Sequence, residues 1–167
     1  MAFSDGFTLI ELIVVIVLIG LMASFALPRM DGFIFSGSTD RVSKWIILNV
    51  ASLKNNAVKD QVDYALNADL SENSFFISTA EMDEDMLGEA RENSFKLPDT
   101  VSIIDIVFPF EMDDDEESTG ILFYSKGYSD NAIIHIENDS GERYSYIIEP
   151  FLPSVEVRDG FVLFDDN

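Results

Sequence analysis

The chain has no cysteine, and only ten of its 167 residues are Lys or Arg. Without thiols it cannot be a disulfide scaffold, so even in an oxidising compartment its stability must come from burial. The scarcity of bases leaves 31 Asp and Glu residues poorly balanced, for a formal net charge of −21 at pH 7. Almost all of that imbalance follows residue 30: residues 31–167 hold 29 of the acids and 9 of the bases. A surface so acidic repels phosphate backbones and anionic headgroups, which excludes nucleic acid as a partner, and it attracts divalent cations or a basic protein. Histidine occurs once, at His135. There is no Gly-x-Ser-x-Gly elbow, no phosphate-cradling glycine loop and no zinc-ligand spacing. Nothing in the sequence therefore points to an enzyme or calls for a cofactor.

Charge is also missing from one long run. No charged residue lies between Leu12 and Leu27, and no basic residue precedes Arg29. From Phe7 to Leu27 a helix at ~1.5 Å per residue would measure ~31 Å, about the hydrocarbon thickness of a bilayer. A secretory signal peptide explains this poorly. Ser24-Phe25-Ala26 could serve as its cleavage site, but the apolar run is too long and the basic n-region is absent. An ordinary signal anchor fits the length and leaves Glu11 unexplained, because an ionised carboxylate inside a bilayer costs a few kcal/mol. A cut between Gly6 and Phe7 would account for it. The new α-amino group would stand four residues before Glu11, and in a bundle of such helices one subunit's carboxylate can meet its neighbour's ammonium. The costly charge then sets the register between subunits.

The stretch GFTLIELIVVIVLIGLMASFALP, from Gly6 to Pro28, resembles the cleavage and methylation signal of type IV pilins and type II secretion pseudopilins. The resemblance implies that residues 1–6 are a leader removed by a prepilin peptidase and that Phe7 becomes an N-methylated terminus. It further implies that Glu11 guides subunit insertion and that residues 7–30 form a transmembrane helix which later enters a filament core, with Pro28 kinking its end. Leaders of the family usually carry Lys or Arg, whereas MAFSDG offers only Asp5. Charge therefore gives no help with orientation, and either the leader is atypical or translation starts upstream.

Residues 31–167 read as one globular domain. Pro28, Gly32 and Gly37 mark a kinked or loosened stretch, after which Ser38 or Thr39 could cap a helix over about 39–60. Val42, Trp45, Ile46, Val50, Leu53 and Ala57 recur at helical spacing, and Trp45 reads as an anchor between helix and sheet. Alternation then predicts strands at 62–70 and 74–79, joined by a turn at Ser71–Asn73, and a helical turn near 80–87. Further strands are expected at 101–108, 121–125, 132–137, 144–149, 155–157 and 161–164, with a tight turn at Asn138–Gly141. The fold class is α+β: a long N-terminal helix packed on antiparallel sheet.

The run EMDDDEES supplies Asp113, Asp114, Asp115 and Glu116, the residues a Ca²⁺ site would use. No glycine occupies its middle and no Glu closes a twelve-residue loop, so it reads as a solvated loop and no metal is assigned. His135 alternates with Ile134 and Ile136 and reads as a surface or hydrogen-bonded histidine rather than a base or ligand.

FKLPDTVSI, ILFYSKGYSDNAIIHI and YSYIIEPFLPSVEV resemble the C-terminal half of the H-type minor pseudopilins (GspH) and of the FimT-like pilus-assembly proteins. The resemblance implies a non-catalytic subunit, held in the inner membrane by a single span with its domain in the periplasm until it joins a pseudopilus. Its partners would be other pseudopilins, the prepilin peptidase and secreted substrates. A type IV pilus minor pilin or FimT-like protein is the alternative. A membrane-tethered binding or enzymatic domain is the remote one.

Overall fold

The computed structural model describes residues 9–26, 37–109 and 119–164. It divides into two units. The first contains helix α1, Leu9–Ala26; the second begins at Gly37 and holds all the other elements.

Helix α2, Ser38–Asp60, is built on the stripe predicted for it: Val42, Ile46, Val50, Leu53 and Ala57 are all buried. Its N-cap is Gly37, at φ 137°, and no side chain caps it, so Ser38 and Thr39 lie inside the helix rather than at the cap. Asp40 faces the positive end of the helix dipole and pairs with Lys44 at 2.7 Å, one turn on. Among the described residues eight strands follow: β1 Tyr64–Asp69, β2 Ser74–Thr79, β3 Phe95–Lys96, β4 Val101–Val107, β5 Thr119–Phe123, β6 Ala132–Asn138, β7 Arg143–Ile148 and β8 Glu156–Asp159. A nine-residue helix α3, Glu84–Glu92, stands between β2 and β3.

The strands make two four-stranded sheets, ordered β3-β2-β1-β5 and β4-β6-β7-β8, with every pairing antiparallel. One core joins them. The α2 stripe packs with Leu66 and Phe75, with Ile121 and Phe123, and with Ile134, Ile136, Tyr146 and Ile148. Trp45 is half-buried against this core. Its ring stacks on Phe95 at 4.4 Å and on Phe75 at 5.6 Å, near-parallel to both, which ties α2 to β2 and β3. Two polar contacts add to the joint. Ser43 on α2 and Tyr146 on β7 share a buried hydrogen bond of 2.5 Å. Asn73, in the left-handed conformation at the β1–β2 turn (φ 48°), donates to the Val101 carbonyl and accepts from the Ile103 amide. Its side-chain amide thus pairs with the β4 backbone as a neighbouring strand would. Gly120 leaves room for Asn67 where β5 faces β1: a Cβ there would stand 2.6 Å from the Asn67 side-chain oxygen, which would have to shift.

Several expected boundaries move. The helix expected near 80–87 starts at Glu84, because the Asp83 carboxylate caps it by accepting from the Met86 amide. Leu70 lies in the β1–β2 turn. Strand β5 ends at Phe123, since Tyr124 to Tyr128 turn back on themselves with Gly127 at φ 91°. The two-residue β3 has too short a pattern to be read. The strand expected at 161–164 is absent. Gly160, at φ 91°, turns the chain out of β8, and the next residues bond to side chains of the sheet instead of to a strand.

Candidate functional site

Glu11 lies in the first turn of α1, where its carboxylate faces the positive end of the helix dipole. Around it the helix is apolar on every side. All the apolar side chains described on α1, from Leu9 to Leu18, are exposed, between 46% at Val15 and 77% at Leu9. A helix that is apolar all round has no face suited to water. Among the described residues no helix is long and apolar enough to cross a membrane. The 18 residues of α1 come to ~27 Å, against ~30 Å for a hydrocarbon core. The span expected over 7–30 overruns α1 at both ends. Gly6, Phe7 and Pro28 lie outside the described residues, as do Asp113, Asp114, Asp115 and Glu116 of the acidic run.

Residues 1–27 match the family described as the prokaryotic N-terminal methylation motif. The N-terminus is of prepilin type. No curated protein matches the chain. Among solved structures, the minor pseudopilin EpsH from the type 2 secretion system of Vibrio cholerae aligns with a TM-score of 0.50 and 10% identity. That alignment covers 74% of this chain and 96% of EpsH. A crystal structure of EpsH from the type II secretion system of the same organism aligns with a TM-score of 0.44 and 14% identity, over 68% of this chain and 94% of that one. At such identity the first likeness is one of fold: the domain behind the prepilin-type N-terminus is pilin-like α+β.

Among the described residues no group of three or more His, Asp or Glu is placed to hold a metal ion. Of the two readings of His135, surface or hydrogen-bonded, the structure shows the second: the side chain is hydrogen-bonded and fully buried. Its Nε2 donates to the Val162 carbonyl at 2.9 Å, and its Nδ1 is hydrogen-bonded to an Asp105 carboxylate oxygen at 2.5 Å. The Phe161 ring stacks on the imidazole with centroids 3.8 Å apart.

The strand register lines Asp105 of β4, His135 of β6, Ser145 of β7 and Arg158 of β8 along one row across the second sheet. That row was not foreseen. Its trace in the sequence is a polar residue between two large apolar ones, three times over: Ile104-Asp105-Ile106, Ile134-His135-Ile136 and Tyr144-Ser145-Tyr146. Ser145 is also buried; it donates to the Gly160 carbonyl and accepts from the Val162 amide. The hydroxyl is thus committed to a backbone and is not poised on His135 as a nucleophile would be.

On another side of the domain Lys54 of α2 donates to the carbonyls of Glu149 and Leu152. This fixes the loop that carries exposed Phe151 and Leu152. Burial lowers the lysine's pKa, and the nearby Glu149 opposes that shift.

Proposed function

We propose that the protein is a minor pseudopilin, a non-catalytic building block of a type II secretion pseudopilus. One observation carries the reading: a prepilin-type motif leads into a helix that is exposed and apolar on all sides, with a single carboxylate in its first turn. Such a helix needs a covering phase, and the pilin-like domain behind it supplies the part that stays in water.

In this account a prepilin peptidase cuts between Gly6 and Phe7 and the new terminus is methylated. Residues 7–30 hold the subunit in the inner membrane, with the domain on the periplasmic side. On assembly the apolar side chains exchange lipid for neighbouring helices, which is nearly neutral in hydrophobic energy because both surroundings are apolar. Packing and the pairing of Glu11 with a neighbour's terminal ammonium then determine where the subunit sits. Its partners are other pseudopilins, and the exposed domain is available to secreted substrates. The chain has no cysteine for the C-terminal disulfide loop usual in type IV pilins, which favours this reading over a pilus minor pilin; it does not separate it from a FimT-like role, since FimT-like proteins also occur without the loop.

The test is the intact mass of the membrane-extracted protein after co-expression with a prepilin peptidase. Loss of residues 1–6 with gain of one methyl group supports the reading. A retained Met1, or a terminus near Leu27, overturns it.

A further inference from the structure

Strand β6 is buried on both faces: Ala132, Ile134 and Ile136 belong to the core, whereas Ile133 and His135 point away from it and are still fully covered. Their cover is the segment after β8. Phe161 lies on the His135 ring, and Leu163 and Phe164 line a cavity of about 60 Å³ together with apolar Ile133 and Ile147 and charged Glu156 and Arg158. The segment is attached through its backbone. The carbonyls of Gly160 and Val162 accept from Ser145 and His135, and the Val162 amide donates to Ser145. No strand ladder holds it, and Phe161 and Leu163 remain 39% and 46% exposed. The arrangement has the features by which proteins bind extended peptides: polar groups that read a main chain beside apolar positions that take side chains.

We propose that the outer face of the second sheet, centred on His135, Ser145 and Ile133, is a peptide-binding site that residues 160–164 fill in cis. The same segment of a second copy of this chain can occupy it in trans. The trans occupant is a second copy because the complementarity visible here is to the sequence Gly-Phe-Val-Leu-Phe itself. Gly160 supplies the hinge: at φ 91°, where a Cβ would be strained, it turns the segment back onto its own sheet, and the extended conformation is equally open to it. Exchange of an identical segment between copies conserves every contact and so costs little.

The experiment uses the solubilised full chain and a version ending at Asp159. The probe is a fluorescent peptide of residues 159–164 with a lysine tail for solubility. The shortened chain should bind it saturably, and the complete chain at least tenfold more weakly, because its site is filled. Ser145→Ala and His135→Phe in the shortened chain should each weaken binding about tenfold, whereas a scrambled peptide should not bind. A shortened chain that keeps its circular dichroism spectrum and ignores the peptide would overturn the proposal. Should shortening unfold the chain, hydrogen exchange on the complete protein decides. Exchange of the Val162 amide at least tenfold faster than that of Ile134 and Tyr146 supports a segment that opens on its own; equal protection refutes it.

Discussion

Replacing Trp45 by Ala tests the joint between α2 and the first sheet. An aromatic side chain buries ~150–250 Å² when fully enclosed. Trp45 is half-buried, so roughly 100 Å² leaves water, about 2.5 kcal/mol at ~25 cal/mol per Å². Its stacks on Phe95 and Phe75 add ~0.5–1.5 kcal/mol each beyond that area. No large cavity term follows, because the site lies at the rim and water can enter. We therefore expect Trp45→Ala to cost about 3–5 kcal/mol in urea unfolding monitored by circular dichroism, and Trp45→Phe about half as much. A double-mutant cycle with Phe95→Ala should give a coupling of ~1 kcal/mol, since the two rings touch. If Trp45→Ala unfolds at the same urea concentration as the parent chain, the stack does not hold helix to sheet and the packing described above is wrong.

The second joint is Asn73. Asn73→Gly keeps the left-handed turn but removes both bonds to β4, and should cost ~1–2 kcal/mol. Asn73→Ala should cost about 1 kcal/mol more, through strain at positive φ. Equal stability of the Gly variant and the parent in urea would show that those bonds contribute nothing. Tyr146 contributes to the alkaline limb of stability. Burial pushes its pKa up to about 12, against the opposing effect of the Ser43 hydrogen bond. The folded state thus holds the phenol protonated: that stability is complete below pH ~10 and is lost as pH rises from ~10 to ~12, on the order of 2–3 kcal/mol. Tyr146→Phe should flatten this part of the profile of urea midpoint against pH, and Tyr124, also raised to about 12 chiefly by burial, should sustain the remaining slope. An unchanged profile in the Phe variant would refute the assignment.

The elements that could be read from the sequence are those whose own residues carry the period. The α2 stripe is spelled out by Val42, Ile46, Val50, Leu53 and Ala57, all now buried. The β6–β7 turn is fixed by Asn138, whose side chain accepts from the amides of Ser140 and Glu142. Alternation was misleading at Phe161–Phe164, because a segment laid across a sheet face also buries every second residue without joining a ladder. Strand β3 exists only through its pairing with β2, a tertiary fact that two residues cannot announce. The prepilin-type motif was legible because it is contiguous. The Asp105–His135–Ser145 row was not, since the order β4-β6-β7 that assembles it comes from the fold.

Glu11 carries the central claim. Glu11→Ala should leave membrane insertion and the Gly6–Phe7 cut intact, since loss of a charge makes the segment more apolar. On the proposed function incorporation should fail, because a neighbour's terminal ammonium would lose its partner. Charge rather than size should decide, so Glu11→Asp should retain part of the activity and the near-isosteric Glu11→Gln less. The decisive measurement is crosslinking of the subunit to partner pseudopilins in the membrane, compared across Glu11 and its Asp, Gln and Ala variants. The account predicts yields that fall in that order. Crosslinking of the Gln variant as strong as that of the parent would contradict it.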